Sequence, residues 1–456
     1  MTAQQTDPPA AAPSASIRDG VDIPHDCEPT ADVSATAAVD TPAGSSGATA
    51  RRVIGVDVAR GLALIGMMAV HILPDVNAQG EMSDAWIVSV GKAAALFAVL
   101  AGVGIAFGSG GRRRPTGRKW TAAAVSLAVR ALMIGAVGLL LGHVVSPDSA
   151  AVILAYYAVL FVLAIPLLSL STRALVILAA AVTLFMPVLS HVVRAQLPVA
   201  PESNPSFTDL VTEPTRLVTE LALTGMFPAL PWLAYLCVGV AVGRCALDAR
   251  GVVIKIGVIG VVVAFAASAG SWLLMNVAGG WRHLESVAMT TMDPEEYTDL
   301  IVWGFSGVTP TSTPWWLGIM APHSSTTFDI AFTIGTSLAV LSACLLLGRV
   351  ASSVLVPLAA AGSMTFTLYT AHLLMLGAPF QPDSEATTFV IQLVVVVGFA
   401  LLWGRWFSRG PLEAAVWWVT RKVRQSVMGT TGGGAAKPVA DAHHHAHDPR
   451  TAANSG

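Results

Sequence analysis

Charge is what this chain has least of: 12% of its 456 residues are Asp, Glu, Lys or Arg, against about a quarter in a soluble protein. With 54% hydrophobic residues, that scarcity excludes a soluble chain of this size, and most of the protein must face lipid. Cysteine is also sparse. Cys27, Cys237, Cys245 and Cys344 are scattered and form no C-x-x-C pair, so neither a disulfide framework nor a zinc site is indicated. No basic stripe exceeds short loop clusters and the net charge is −2, which leaves no case for a nucleic-acid partner. A Gly-rich phosphate loop and a Ser-His-Asp signature are missing, the histidines outside His25 and the C-terminal tail show no H-x-x-x-H or H-x-x-E spacing, and no metal site is expected.

What is present is a series of apolar runs long enough to span a bilayer. Ten of them lie near 53–73, 86–108, 121–145, 150–169, 173–190, 225–246, 252–275, 327–347, 354–376 and 388–408. They predict an all-α polytopic membrane protein of about ten transmembrane helices. Lys and Arg concentrate on one face, in Arg51, Arg52, the loop Arg112–Lys119, Arg173, Arg244, Arg250, Lys255, Arg349, Arg405, Arg409, Arg421, Lys422 and Arg424. The other face holds only Arg194, Arg216 and Arg282 in its loops. The positive-inside rule then places both termini in the cytoplasm. Residues 1–50 lack any apolar run and read as a disordered arm rather than a signal peptide. Residues 51–410 form the membrane domain. Residues 411–456 read as a cytoplasmic, mostly disordered tail, whose HHHAH run (443–447) reads as a solvated, low-complexity segment with adventitious affinity, its alternative being metal binding.

Ionisable residues inside a span are expensive and mark function. The first run carries Arg60 and His71, eleven positions apart, with only apolar residues and Gly between them. Eleven residues make three helical turns, rising about 16 Å and ending about 20° off register. Both side chains therefore line one helix face, one near each membrane surface. Asp57, three residues before Arg60, can pair with it on that face. Outside His25 and the tail, the six histidines His71, His143, His191, His283, His323 and His372 all fall at outer helix ends or in outer loops. Two outer loops are long, 191–224 and 276–326. The second is rich in Trp, and Trp303, Trp315 and Trp316 read equally as a binding lid or as interface anchors.

The segment VDVARGLALIGMMAVH resembles the first-helix signature of membrane acyltransferases, both the broad acyltransferase-3 group and the heparan-α-glucosaminide N-acetyltransferase-like group. ALFAVLAGVGIAFG, LALTGMFPALPWLAYLCVGVAVGR and GSMTFTLYTAHLL are similar to later helices of the second group, in the same order. The likeness spans roughly residues 52–410. It implies His71 as the acyl-transfer residue and Arg60 as important for activity. It also implies a cytoplasmic acyl-CoA donor, acetyl-CoA foremost, and an extracytoplasmic glycan or glycolipid acceptor. The acyltransferase-3 basic pair is incomplete, because only Arg130 stands in the third helix. The implied setting is the inner membrane of a bacterium.

On that reading His71 acts as general base or as acyl-accepting nucleophile, and its bland alternative is a hydrogen-bonded helix-end histidine. Arg60 and Arg130 contact the donor, with Asp57 orienting Arg60; the alternative for Asp57 is charge neutralisation alone. His372 faces His71 and binds acceptor or relays a proton. His323 and Trp232 are further acceptor contacts, Trp232 by sugar stacking. A transporter or lipid flippase would use the same polar path, and a scaffold subunit would hold these charges for structure only. A homodimer is left open.

Overall fold

The computed structural model describes residues 53–197, 203–378 and 382–429. The N-terminal arm, Cys27 and the histidine run at 443–447 lie outside the described residues. Within them the architecture is all α, with one isolated bridge between Val76 and Met82. The chain passes through α1 (Ile54–Ile72), α2 (Asp84–Ser89), α3 (Lys92–Ser109), α4 (Gly117–Leu141), α5 (Leu154–Leu167) and α6 (Thr172–Arg194). Next come α7 (Phe207–Thr212), α8 (Pro214–Thr219), α9 (Ala229–Gly243), α10 (Arg250–Trp272), α11 (Gly280–Thr291) and α12 (Pro294–Trp303). The last are α13 (Thr327–Val350), α14 (Val356–Gly362), α15 (Thr365–Leu376), α16 (Glu385–Trp403) and α17 (Pro411–Met428).

Each of the ten apolar runs is helical, and among the described residues seven helices are long and apolar enough to cross a membrane. An eighth is added if Pro214–Thr224 and Ala229–Gly243, bent by 52° at their junction, form one span. The expected ten is larger because α5 and α15 are apolar but only 14 and 12 residues long, short of the roughly 20 that a bilayer core needs. The bend follows from sequence: Gly225 and Pro228 flank the break, and proline cannot donate to a continuing helix.

Helix α1 is the hub. It packs on α3, α13, α14, α15 and α16. Two glycines permit the closest of these approaches. A Cβ on Gly362 would lie 1.7 Å from the Asp57 carbonyl oxygen, and one on Gly61 would lie 2.2 Å from the Leu358 carbonyl oxygen. Small residues let membrane helices meet backbone to backbone, and here they press α14 onto α1 beside Asp57 and Arg60.

The long loop after α10 folds into a helical cap with its own apolar cluster of Met275, Leu284, Ala288, Phe305, Trp316, Ile319 and Ala321. Trp316 is fully buried, and its indole N–H donates to Ser312 Oγ at 3.0 Å. It is the core of the cap, which is neither of the roles expected for it. The stretch assigned to the tail opens on α17, an 18-residue helix that packs along α4 and touches α15.

Candidate active site

His71 stands in the last turn of α1, which ends at Ile72 because Leu73 precedes Pro74 and is extended (ψ 149°). Its Nδ1 lies 3.1 Å from Nε2 of His372 on α15. The ring planes differ by 2° and the centroids are 5.3 Å apart. That centroid spacing is the N–N distance plus the two ring radii, so the imidazoles meet edge to edge in a common plane. On its far side His372 Nδ1 lies 2.7 Å from Oε1 of Gln392 on α16. His372 is fully buried and Gln392 is 4% exposed, so their polar atoms must find partners within the protein.

This chain of contacts has a direction. An amide oxygen only accepts, so His372 Nδ1 carries the proton and donates to Gln392 Oε1. The neutral His372 ring then has its lone pair on Nε2, which accepts from His71 Nδ1–H. The lone pair of His71 is thereby placed on Nε2, the nitrogen outside the relay. Gln392 thus fixes the tautomer of a histidine it does not touch. Sequence reasoning paired His372 with His71 but missed Gln392. Gln392 is the single amide among the buried positions of α16, Thr388, Gln392, Val396 and Ala400, spaced four apart, and only the fold shows that this face is the inward one.

Three turns away, Arg60 Nη1 donates to Asp57 Oδ1 at 3.2 Å. Its guanidinium lies against Gly104, where a Cβ would be 3.0 Å from Nη2. Gly104 also lines a cavity of about 640 Å³. Arg130 reaches into that cavity, accessible although it stands well inside α4, with its guanidinium 5.2 Å from the Phe161 ring centroid. Arg409, Glu413, Trp417, Arg421 and Arg424 complete the polar wall. The structure therefore brings Arg60, Asp57 and Arg130 to one end of α1 and the His71 relay to the other. The basic loop after α3 is partly committed to other loops. Arg112 pairs with Asp248, and Arg114 donates to the Ser169 carbonyl at 3.3 Å.

His323 sits in the segment that leads into α13, with an unusual left-handed backbone (φ 55°) shared by Ser325 (φ 51°). Ser325 N–H donates to Asp329 Oδ2 at 3.1 Å, and the Thr326 hydroxyl caps α13. The His323 ring packs on Phe227, its Nδ1 is buried without a hydrogen bond, and it lies within electrostatic range of His71. Burial first, and the charge of Lys92 second, push its pKa down from 6.5 to about 4. Trp232 is buried, with its indole edge-on to Phe227 and Tyr235. Phe227 in turn meets the His323 ring.

The His323 shift has a sign for stability. Between about 4 and 6.5 the unfolded chain holds a proton at this ring that the folded chain does not. Stability therefore rises with pH across that window, by up to about 1.4 kcal/mol per unit. Lowering pH from 7 to 5 is expected to lower the thermal midpoint of the solubilised protein, and His323→Gln should flatten that dependence. An identical slope in the variant would remove His323 as its source.

Among the described residues, no three His, Cys, Asp or Glu side chains are arranged to hold a metal ion. Residues 52–276 match the family model described as heparan-alpha-glucosaminide N-acetyltransferase, catalytic. The matched segment includes Asp57, Arg60, His71 and Arg130 but ends before His372, Gln392 and α17. No curated protein matches the chain.

Proposed function

We propose that this chain, whose residues 52–276 match the heparan-alpha-glucosaminide N-acetyltransferase catalytic family model, is a membrane acyltransferase of that kind and moves an acetyl or similar short acyl group from acyl-CoA to a glycan or glycolipid on the opposite side of the membrane. The observation that carries this reading is the His71–His372–Gln392 relay at one end of a helix whose other end bears Arg60 beside a basic cavity. The donor occupies the arginine-lined end and the acceptor approaches the His71 end. The asymmetry of Lys and Arg supports the arginine-lined end as cytoplasmic.

The chemistry follows from the tautomer. His71 Nε2 has an uncommitted lone pair, so it attacks the thioester carbonyl or takes the proton of the acceptor hydroxyl or amine. In either case positive charge develops on the His71 ring. His372 Nε2, held as an acceptor by Gln392, stabilises that charge through the Nδ1–H bond. In the first case an acyl-imidazole forms and CoA leaves as its thiolate. In the second the acceptor oxygen or nitrogen attacks the thioester directly. Brief incubation with labelled acyl-CoA, without acceptor, separates the two by the presence of hydroxylamine-labile label on the protein.

The defining test supplies the full chain in lipid nanodiscs with labelled acetyl-CoA and a mixture of envelope glycans. The expected result is label on a glycan together with release of free CoA. Absence of both would overturn the reading, and movement of a glycan or lipid without acyl-CoA dependence would favour translocation instead.

A further inference from the structure

We propose, resting on the acyl-CoA reading above, that α17 is a clamp for the nucleotide end of the donor, with Trp417 as the stacking platform for adenine and Arg409 and Arg421 as its phosphate contacts. The helix lies outside the segment that matches the family, so this role is read from its own residues.

Both ends of α17 are fixed to the bundle. Pro411 stands at its first position, where proline's missing N–H is harmless. Glu413 then ties the helix to the start of α15. One carboxylate oxygen accepts from Phe366 N–H (2.7 Å) and Thr367 N–H (3.2 Å), and the other from the Thr367 hydroxyl (2.6 Å). At the far end Arg424 donates to the Gly108 carbonyl at 3.2 Å. A merely interfacial helix would turn its aromatics to lipid. Trp418 is exposed, with the Lys422 ammonium 3.7 Å from its ring centroid. Trp417 is exposed as well, at 39%, but it lines the cavity, with the Arg409 guanidinium 4.5 Å and the Arg421 guanidinium 5.0 Å from its ring centroid.

The cavity wall thus combines a flat aromatic with four guanidiniums, those of Arg130, Arg409, Arg421 and Arg424. The one carboxylate among them, Glu413, has both oxygens already hydrogen-bonded. Such a wall calls for a ligand with several negative charges and a flat ring. An adenosine bearing a 3′-phosphate and a 5′-diphosphate has both. Guanidinium forks match phosphate oxygens in pairs, and an arginine that turns from the Trp417 ring to a phosphate frees the indole face for a stacked base. The volume of about 640 Å³ falls within the usual range of small-molecule sites. Gly104 and Arg130 line the cavity next to Arg60, so a nucleotide held by α17 points its thioester arm toward α1.

The test uses the full chain in phosphatidylcholine nanodiscs, with acetyl-CoA, acetyl-pantetheine and adenosine 3′,5′-bisphosphate as probes. In the wild type the bisphosphate competes with acetyl-CoA, and acetyl-pantetheine is the poorer donor. Trp417→Ala and Arg421→Gln should each raise the KM for acetyl-CoA by roughly tenfold to a hundredfold, leave kcat within about twofold, and weaken competition by the bisphosphate. Trp417→Phe keeps a stacking face and should lie between, which guards against a Trp417→Ala chain that fails to fold. If the wild type transfers acetyl from acetyl-CoA and both Arg421→Gln and Trp417→Phe keep its KM and bisphosphate competition, the clamp is wrong and the donor reading stands. If the wild type neither turns over acetyl-CoA nor binds the bisphosphate, the donor reading itself is wrong. Competition by phosphatidylglycerol that is lost in Arg421→Gln, without competition by the bisphosphate, would assign the arginines to a lipid phosphate and overturn the clamp.

Discussion

Replacing His71 with alanine is expected to lower acyl transfer by about two to four orders of magnitude, the range that a positioned general base or nucleophile contributes. The substitution removes Nε2, the one nitrogen of the relay with a free lone pair, and deprives His372 Nε2 of its donor. Donor binding should survive, because Arg60 and the cavity lie three helical turns, about 16 Å, along α1. His372→Ala is expected to be milder, about tenfold to a hundredfold, since His71 Nε2 remains and only its orientation and charge stabilisation are lost. The measurement is transfer of labelled acetyl in nanodiscs, normalised to correctly inserted protein by size-exclusion profile and proteolytic accessibility of the loops. His71→Ala protein that inserts normally and keeps more than a tenth of wild-type transfer would remove His71 from the chemistry.

Much of this arrangement was legible in the sequence, and what was missed shares a physical cause. Arg60, Asp57 and His71 lie on one helix, where the 3.6-residue period decides which side chains share a face; the Asp57–Arg60 pair is present as that period requires. The pairing of His71 with His372 joins helices 301 positions apart. It was legible only because both histidines map to the same membrane surface. Gln392 was not, because hydropathy places α16 in the bilayer without saying which of its faces meets α15. Helix α5 was counted as a full span because apolar composition continues past its ends into turns, and α15 because its apolar run begins in α14. Trp316 was read through membrane habits, whereas the loop that carries it folds on its own apolar core. Helix α17 escaped because amphipathic helices have too little net hydrophobicity to stand out as spans. Its start was nevertheless marked by Gly410-Pro411 and the acidic Glu413 in the first turn.

Gln392 gives the sharpest test of how the relay works, because it touches neither His71 nor any reacting atom. Gln392→Leu keeps the volume on a mostly lipid-facing helix and leaves His372 Nδ1–H, fully buried, without an acceptor. A buried donor without a partner costs about 1–3 kcal/mol. The His372 ring can escape that cost by moving its proton to Nε2, which then faces His71 as a donor. His71 must answer by presenting Nδ1 as the acceptor and carrying its own proton on Nε2, and the lone pair needed for transfer is lost from the outer side. Transfer is therefore expected to fall by about tenfold to a hundredfold, the usual effect of removing a group that orients a functional histidine. The fall should appear in kcat, with the KM for acyl-CoA unchanged, since the donor end of α1 is intact. Gln392→Glu retains an acceptor oxygen at the same reach and should keep more activity than Gln392→Leu. A merely structural residue would give a different pattern: both variants would lose insertion or thermal stability in step with activity. Equal kcat in wild type and a well-inserted Gln392→Leu would mean that the direction of the relay is not set from α16.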